Sequence, residues 1–309
     1  MANLKVTLGD LSLKNPIMLA SGILDSTPGI LKRMAQTDAG ALITKSISLK
    51  GRPGYPGPTA VEISPGTWIN AMGLPNPGLQ DFLEEFPLTT LKLPVIPNLV
   101  GDTPKDFETL AREVAMAGAK IVELNLSCPH PKANYSGNLT SQDPKAAADV
   151  IEATSRHLPV IAKLTPNVTD IGNVAVACAK AGATAISAIN TLPALDVDPE
   201  LERPILGNGF GGLSGAAIRP IGLRKVLEIS KALNNEGISI PVIGMGGISD
   251  ADDVVRYLLC GASMVQVGTC LTSNPEKLAT ICSGLCDWMN RKGYKKLSDF
   301  QGRILDWFE

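Results

Sequence analysis

Two kinds of strand opening alternate along this chain, and their alternation restricts its fold sharply. In the first kind a helical pattern ends in Gly-Ala and runs into an apolar segment. It occurs at Ala39-Gly40-Ala41, Ala117-Gly118-Ala119, Ala181-Gly182-Ala183 and Cys260-Gly261-Ala262. The segments that follow are Leu42-Ile43-Thr44-Lys45, Ile121-Val122-Glu123-Leu124, Ala185-Ile186-Ser187-Ala188 and Met264-Val265-Gln266-Val267. In the second kind a strand opens on proline: Pro16-Ile17-Met18-Leu19, Pro94-Val95-Ile96-Pro97, Pro159-Val160-Ile161-Ala162 and Pro241-Val242-Ile243-Gly244. Proline suits a first strand position, where its missing N–H is least needed. Strict alternation of the two kinds gives eight strands.

The stretches between strands read as helices. Thr103 can N-cap one, with Pro104 at its first position and Phe107, Leu110 and Val114 on one face. Thr169 opens another, with Ile171, Val174 and Cys178 on one stripe. Ser249-Asp250-Ala251-Asp252 resembles a capping box ahead of Val254, Val255, Leu258 and Leu259, and Asp143-Pro144 opens a fourth. Eight strands alternating with helices predict an α/β fold, a (β/α)8 TIM barrel, over residues 1–309 as a single domain. A doubly wound sheet is the structural alternative, and it tolerates the fourfold alternation poorly. Residues 4–13 alternate and turn at Gly9-Asp10, which predicts an N-terminal β-hairpin capping the barrel bottom.

Composition removes several function classes. Apolar residues make up 44% and charged residues 19%, enough for a large core and against disorder as the main state. The net charge of −2, spread along the chain, argues against nucleic-acid binding. No apolar run approaches the ~18 residues of a membrane span, and no secretory leader is visible. The six cysteines form no Cys-x-x-Cys pair, so a cytoplasmic protein with reduced thiols is expected.

Three connections are too long for plain turns: 46–93, 127–142 and 191–218. Each follows a strand, so in a barrel all three lie on the C-terminal face, where active sites sit. The strand ends on that face are polar. They carry Ala20-Ser21-Gly22, Lys45-Ser46, Asn98, Asn125 with Ser127-Cys128, Lys163 with Thr165, Asn190-Thr191, Gly246-Gly247 and Gly268-Thr269. Apart from Glu123, inside a strand, acidic metal ligands are missing, and of two histidines only His130 is near. A metal hydrolase and a Ser-His-Asp nucleophile are therefore disfavoured, and no metal is expected.

Lys45 and Lys163 admit three readings: Schiff-base formation, a fixed cation facing developing negative charge, or an ordinary surface lysine. Apolar neighbours weigh against the last. Three asparagines at one mouth suit a ring with alternating C=O and N–H groups, although turn chemistry also favours asparagine at strand ends. Cys128 is held extended by Pro129 and sits in a mouth loop. A reference pKa of ~8.5 makes it a feasible base near neutrality, whereas Cys178, Cys260, Cys282 and Cys286 fit core packing. The segment Gly207-Asn208-Gly209-Phe210-Gly211-Gly212 has G-x-G-x-x-G spacing but does not join a strand directly to a helix, so a dinucleotide reading fails its context. Gly244-Met245-Gly246-Gly247 and Gly268-Thr269, after strands seven and eight, are better placed to hold a phosphate through backbone N–H groups.

At these residues the chain resembles the class 1 dihydroorotate dehydrogenases, over nearly its whole length. The telling stretches are Asn70-Ala71-Met72-Gly73-Leu74-Pro75-Asn76-Pro77-Gly78, Asn125-Leu126-Ser127-Cys128-Pro129, Gly211-Gly212-Leu213-Ser214-Gly215, Gly244-Met245-Gly246-Gly247-Ile248 and Gln266-Val267-Gly268-Thr269. It looks most like the catalytic subunit of the NAD-linked subtype, class 1B. Class 2 carries a membrane-associating N-terminal extension not seen here, and has serine where Cys128 stands. The resemblance implies FMN and oxidation of (S)-dihydroorotate to orotate, a step of UMP biosynthesis. It makes Cys128 the base for the C5 proton, and places Lys163 by the flavin N1/O2 edge, where it stabilises the anionic reduced flavin. It implies that Lys45, with Ser46, contacts both flavin and substrate. It assigns Asn70, Met72, Gly73, Leu74, Asn125, Asn190 and Thr191 to the substrate, and Ala20, Ser21, Lys45, Ser46, Asn98, Asn125, Lys163, Gly215, Gly246, Gly247, Gly268 and Thr269 to FMN. It also implies a homodimer core joined to a partner subunit carrying FAD and a 2Fe-2S cluster, a heterotetramer. The chain itself has no cysteine pattern for a cluster and no dinucleotide fold.

One residue departs from the family pattern: His130 follows Pro129 where asparagine is usual. Ser-Cys-Pro-His, with 162–170, is similar to dihydropyrimidine dehydrogenases, which act on uracil-type rings. The loop 70–78 is of the orotate type and weighs more, because it would meet the substrate carboxylate. Four alternatives stand beside the main reading: a dihydrouracil-type substrate, a fumarate-linked class 1A homodimer, a Schiff-base lyase, and a binding subunit without catalysis.

Overall fold

The computed structural model describes residues 2–86, 88–127 and 140–308. Its centre is a closed parallel barrel of eight strands. They are β1 (Ile17–Leu19), β2 (Ala41–Ile47), β3 (Val95–Leu99), β4 (Val122–Asn125), β5 (Val160–Leu164), β6 (Ala185–Ala188), β7 (Val242–Met245) and β8 (Met264–Val267). Each pairs with the next in chain order, and β8 closes on β1 through Val265–Ile17, Gln266–Met18 and Val267–Leu19. One helix follows each strand: α1 (Pro28–Met34), α2 (Leu79–Glu85), α3 (Pro104–Met116), α4 (Pro144–Ser155), α5 (Ile171–Lys180), α6 (Arg219–Asn235), α7 (Ala251–Leu259) and α8 (Lys277–Lys292).

The two strand openings do different physical work. Three of the Gly-Ala pairs end helices by the same hydrogen bond, in which the alanine N–H reaches back to the third helical carbonyl from the end. Ala119 N donates to Val114 O at 3.0 Å, Ala183 N to Cys178 O at 3.0 Å and Ala262 N to Tyr257 O at 3.1 Å. The intervening Gly118, Gly182 and Gly261 have φ of +98°, +102° and +103°, which an L side chain rarely adopts. Gly40 differs: a Cβ there would lie 2.2 Å from Asn15 O, so it permits a close approach of chain segments. The prolines supply only carbonyls to the barrel rim, which suits a residue without an N–H. Pro16, Pro94, Pro159 and Pro241 accept from Val265, Leu42, Val122 and Ile186, each on a neighbouring strand of the other kind.

The caps follow the expected chemistry with small corrections. Thr103 and Asp106 form a capping box at α3, and Phe107, Leu110 and Val114 are buried. Asp143 caps α4 ahead of Pro144. The N-cap of α5 is Asp170 rather than Thr169, because the Asp170 carboxylate accepts from Asn173 N at 3.0 Å. At α7 the N-cap is Asp250 rather than Ser249, and the reciprocal bond goes to the residue before the cap instead of closing a capping box. Asp250 accepts from Asp253 N at 2.8 Å, and Asp253 accepts from Ser249 N at 3.0 Å.

The predicted hairpin pairs Val6–Leu8 with Leu11–Leu13. Its Leu8 and Leu13 are buried in one cluster with Met18, Ile43, Ile96, Ile161, Ile243 and Met264, so the hairpin plugs the lower end of the barrel. A larger apolar shell fills the space between the barrel and its helices. The long connections are more ordered than their Gly and Pro content implies. Leu192–Ala194, Gly211–Gly215, Thr67–Asn70 and Ala60–Ser64 form a four-stranded antiparallel sheet over the C-terminal face. Lys50–Arg52 pairs with Asn76–Gly78 beside it. No described helix is long and apolar enough to cross a membrane.

Candidate active site

Alternate residues of a barrel strand face inward, and their character changes with height. The bottom layer is apolar: Ile43, Ile96, Ile121, Ile161, Ile243 and Met264. Two residues further along their strands the inward positions turn polar, with Lys45, Asn98, Glu123, Lys163, Ser187 and Gln266, and Met245 alone among them stays apolar. Above these stand Asn125, Thr165 and the loops of the C-terminal face. The cavity they enclose measures about 2050 Å³ and is roofed by the small sheet.

Lys163 is 5% exposed at the cavity floor, and its Nζ lies 3.5 Å from Glu123 Oε1. Lys45 comes from β2, whose register against β3 shifts between Ile43 and Ser46. Such irregularities re-aim a side chain, and this one falls at Lys45. Burial holds the Lys45 ammonium below the usual lysine range; the Asp25 carboxylate opposes this and Lys163 adds to it. Asp25 is buried in the loop after β1 and accepts from Gly22 N at 2.5 Å. Desolvation pushes its carboxyl up to about 6, against the pull of Lys45.

A compact polar cluster forms one wall. Asn125 Nδ2 donates to Ser46 Oγ at 3.2 Å, and Ser127 Oγ donates to Asn125 Oδ1 at 2.7 Å. Asn190 Nδ2 donates to Ser127 Oγ, and Asn190 Oδ1 accepts from Thr191 N at 2.8 Å. Asn70 donates to Gly212 O at 3.2 Å, fixing the roof sheet to the site. The loop beyond Asn70 is tightly folded: Tyr55 N donates to Met72 O at 3.0 Å, and Leu74 has φ +55°. A Cβ on Gly73 would lie 2.7 Å from Tyr55 N. On the far side Gly246 and Gly247 have φ of +117° and +68°, and a short 3₁₀ turn, Thr269–Leu271, begins after Gly268.

Nearly all residues expected at the site line this one cavity: Ala20, Ser21, Lys45 and Ser46; Asn70, Met72, Gly73 and Leu74; Asn125, Lys163, Asn190 and Thr191; Gly215, Gly246, Gly247, Gly268 and Thr269. Asn98 does not line it. That side chain is fully buried beneath the floor, donates to Glu123 Oε1 at 2.7 Å and leaves its Oδ1 without a partner. Cys128, Pro129 and His130 lie outside the described residues. Cys178 is buried, with its thiol pushed up to about 12 by burial, as its core stripe implied.

Four contributors escaped the sequence reading: Asp25, Gln266, Asn167 and Cys270. Asp25 stands among Ser26, Thr27 and Pro28, where helix-cap chemistry is the ordinary expectation, and Thr27 is indeed the cap of α1. Gln266 carried a usable signal, a polar residue within the apolar run Met264-Val265-Gln266-Val267. Asn167 bonds Thr165 Oγ1 at 2.7 Å, and Cys270 lines the cavity with its thiol raised to about 11 by burial.

A closed (β/α)8 barrel with two lysines at the floor of its mouth and amide side chains on the wall defines the class: an enzyme of the TIM-barrel type, open to a sizeable ligand. Residues 3–289 match the family described as Dihydroorotate dehydrogenase. The chain belongs to that family. It is 44% identical over 305 residues to the Dihydroorotate dehydrogenase B (NAD(+)), catalytic subunit of Pyrococcus abyssi, covering 98% of this chain and 99% of the relative. The subunits of the same name from Methanothermobacter thermautotrophicus and Pelobacter propionicus are 39% and 40% identical, each over 98% of this chain and 99% and 98% of theirs. In fold the chain is similar to a crystal structure of DHODH in complex with ferulenol from Eimeria tenella. The TM-score is 0.79 at 21% identity, covering 97% of this chain and 88% of that one.

Proposed function

We propose that this chain is the catalytic subunit of an NAD-linked dihydroorotate dehydrogenase, which oxidises (S)-dihydroorotate to orotate in UMP biosynthesis with FMN in its barrel mouth. The observation that carries this reading is the convergence of Lys45, Lys163, Asn125 and Asn190 on one cavity in a member of this family.

The residues present fit FMN. Gln266 lines the floor with a buried Oε1 that has no hydrogen-bond partner, an acceptor suited to a ligand hydroxyl. A Cβ on Gly247 would lie 2.7 Å from Gly215 O, so this part of the cavity lining packs only as glycine and offers backbone rather than a side chain. Gly246, Gly247, Gly268 and Thr269 line that end of the cavity, after strands seven and eight, where barrel loops hold phosphate through backbone N–H groups.

Bound FMN supplies the two-electron acceptor for the hydride that leaves C6 of dihydroorotate. The chain's own residues do the rest. Cys128 takes the proton from C5, leaving the C5–C6 double bond of orotate. Lys163 is a fixed cation for negative charge arriving at the ring edge, and Lys45 meets flavin and substrate together with Ser46. Asn70, Asn125, Asn190 and Thr191, with the backbone of Met72, Gly73 and Leu74, hold the pyrimidine amides and the carboxylate. Ala20, Ser21, Gly215, Gly246, Gly247, Gly268 and Thr269 hold FMN, with Asn98 supporting the floor from below. Electrons leave through a partner subunit with FAD and a 2Fe-2S cluster, docked on a homodimer core of this chain in the cytoplasm. In this reading the lysines act as cations and form no Schiff base.

Orotate binding tests the proposal. The FMN-loaded chain should show a saturable change in flavin absorbance with orotate and none with uracil, which lacks the carboxylate. Equal responses to both would reject the substrate assignment.

A further inference from the structure

A single carboxylate occupies the barrel axis under the cavity floor. Glu123 is fully buried, one inward position above Ile121 and one below Asn125. A charge at this depth is tolerated only if it is paired and hydrogen-bonded. Donors from four other strands supply that. Asn98 Nδ2 donates to Oε1 at 2.7 Å, Ser187 Oγ to Oε2 at 3.0 Å and Gln266 Nε2 to Oε2 at 2.5 Å. The fourth is Lys163, whose Nζ stands 3.5 Å from Oε1. Of the four, Lys163 alone carries a charge, and with Gln266 it also reaches the cavity.

Lys163 therefore presents to the cavity the upper end of an ion pair, rather than an isolated cation. The neutral donors share the carboxylate's charge, and how much they share decides how much of the cation is left for a ligand. We infer that Glu123 is a positioning residue, which fixes the height of the Lys163 ammonium and sets the effective positive charge it offers to a bound flavin. This rests on the flavin reading of the site. It makes the midpoint potential of the cofactor a property of a cage one layer below the residues that touch it.

The cage tolerates the neutral isostere. Glu123→Gln keeps the shape, and the Asn98 amide can rotate to turn its unpartnered Oδ1 onto the new NH₂. The test is the flavin midpoint potential of the FMN-loaded protein, measured without substrate, for the parent, Glu123→Gln, Lys163→Met and the double variant. FMN stoichiometry and thermal unfolding are followed in each. The expected result is a shift to more positive potential in Glu123→Gln and to more negative potential in Lys163→Met. Adding Glu123→Gln to Lys163→Met should then change little, because the glutamate acts through the ammonium. An equal shift in both backgrounds, or none in either, overturns the inference. If Glu123→Gln does not fold, Ser187→Ala serves. It removes one neutral donor from Oε2, leaves more charge facing Lys163 and should move the potential negative; no movement overturns the inference. A parent chain that takes up no FMN would instead overturn the reading of the site. A loaded parent whose potential ignores these changes would overturn this inference alone.

Discussion

Asp25 and Lys45 carry opposite charges into the same poorly hydrated corner of the mouth, and burial opposes the charge on each. For Asp25 the sign of the pH dependence follows directly. Its folded-state carboxyl, at about 6, binds a proton more tightly than the unfolded one at 3.8. Stability from this group is therefore full below the unfolded value and is lost as pH rises through about 6. Asp25→Asn stays neutral throughout. Its unfolding free energy should fall less than the parent's between about pH 4 and pH 7, by on the order of 3 kcal/mol. Superimposable pH curves for the two proteins would refute this. At the chemistry itself, Cys128→Ala should slow flavin reduction by dihydroorotate about 10²–10⁴-fold while FMN is retained. Lys163→Ala should cost about 10²–10³-fold. Stopped-flow bleaching rates that match the parent's would exclude the assigned roles. Both lysines were legible because each is a charge at the end of an apolar strand. Asp25 was not, since its neighbours are those of a helix cap, and the depth at which Asn98 sits cannot be read from strand position alone.

Among the elements, the barrel strands and their helices could be read from the chain because each carries its own local signal: a proline whose N–H is not needed, or a glycine with positive φ closing a helix. The roof sheet carries no such signal. Gly211–Gly215 pairs with Thr67–Asn70, some 140 residues away, and Gly-rich segments read as turns until a distant partner is supplied. The hairpin and the roof lie at opposite ends of the barrel, so damage to them should be separable. Leu8→Ala removes a fully buried side chain from the lower plug and should cost about 2–5 kcal/mol of stability, with FMN content per folded molecule unchanged. Gly215→Ala should act at the mouth, where Gly215 is assigned to FMN, and weaken binding there. Its Cβ would lie 1.9 Å from Gly66 O at a φ of +86°, so the roof must shift, and orotate affinity should drop about tenfold or more. Urea unfolding and orotate titration of the two variants would distinguish these effects; loss of orotate affinity in Leu8→Ala would contradict the separation.

For the whole molecule, the fold followed from counting alternations; the strand ends that share one mouth gave two lysines, asparagines and a phosphate site, and the reaction itself came only from the family resemblance. The electron acceptor is not written in the barrel. It rests on relatives named as catalytic subunits, a name that requires a second subunit. The chain alone should accept electrons from dihydroorotate but form no NADH until an electron-transfer subunit is added, and NADH formation by the purified chain would reject the partner. The central claim, that this mouth holds a flavin reduced by dihydroorotate, is tested most directly by anaerobic titration of the FMN-loaded chain, following flavin absorbance. The account predicts bleaching by dihydroorotate and none by dihydrouracil. Bleaching by dihydrouracil alone, or no flavin band after FMN is supplied, would contradict it.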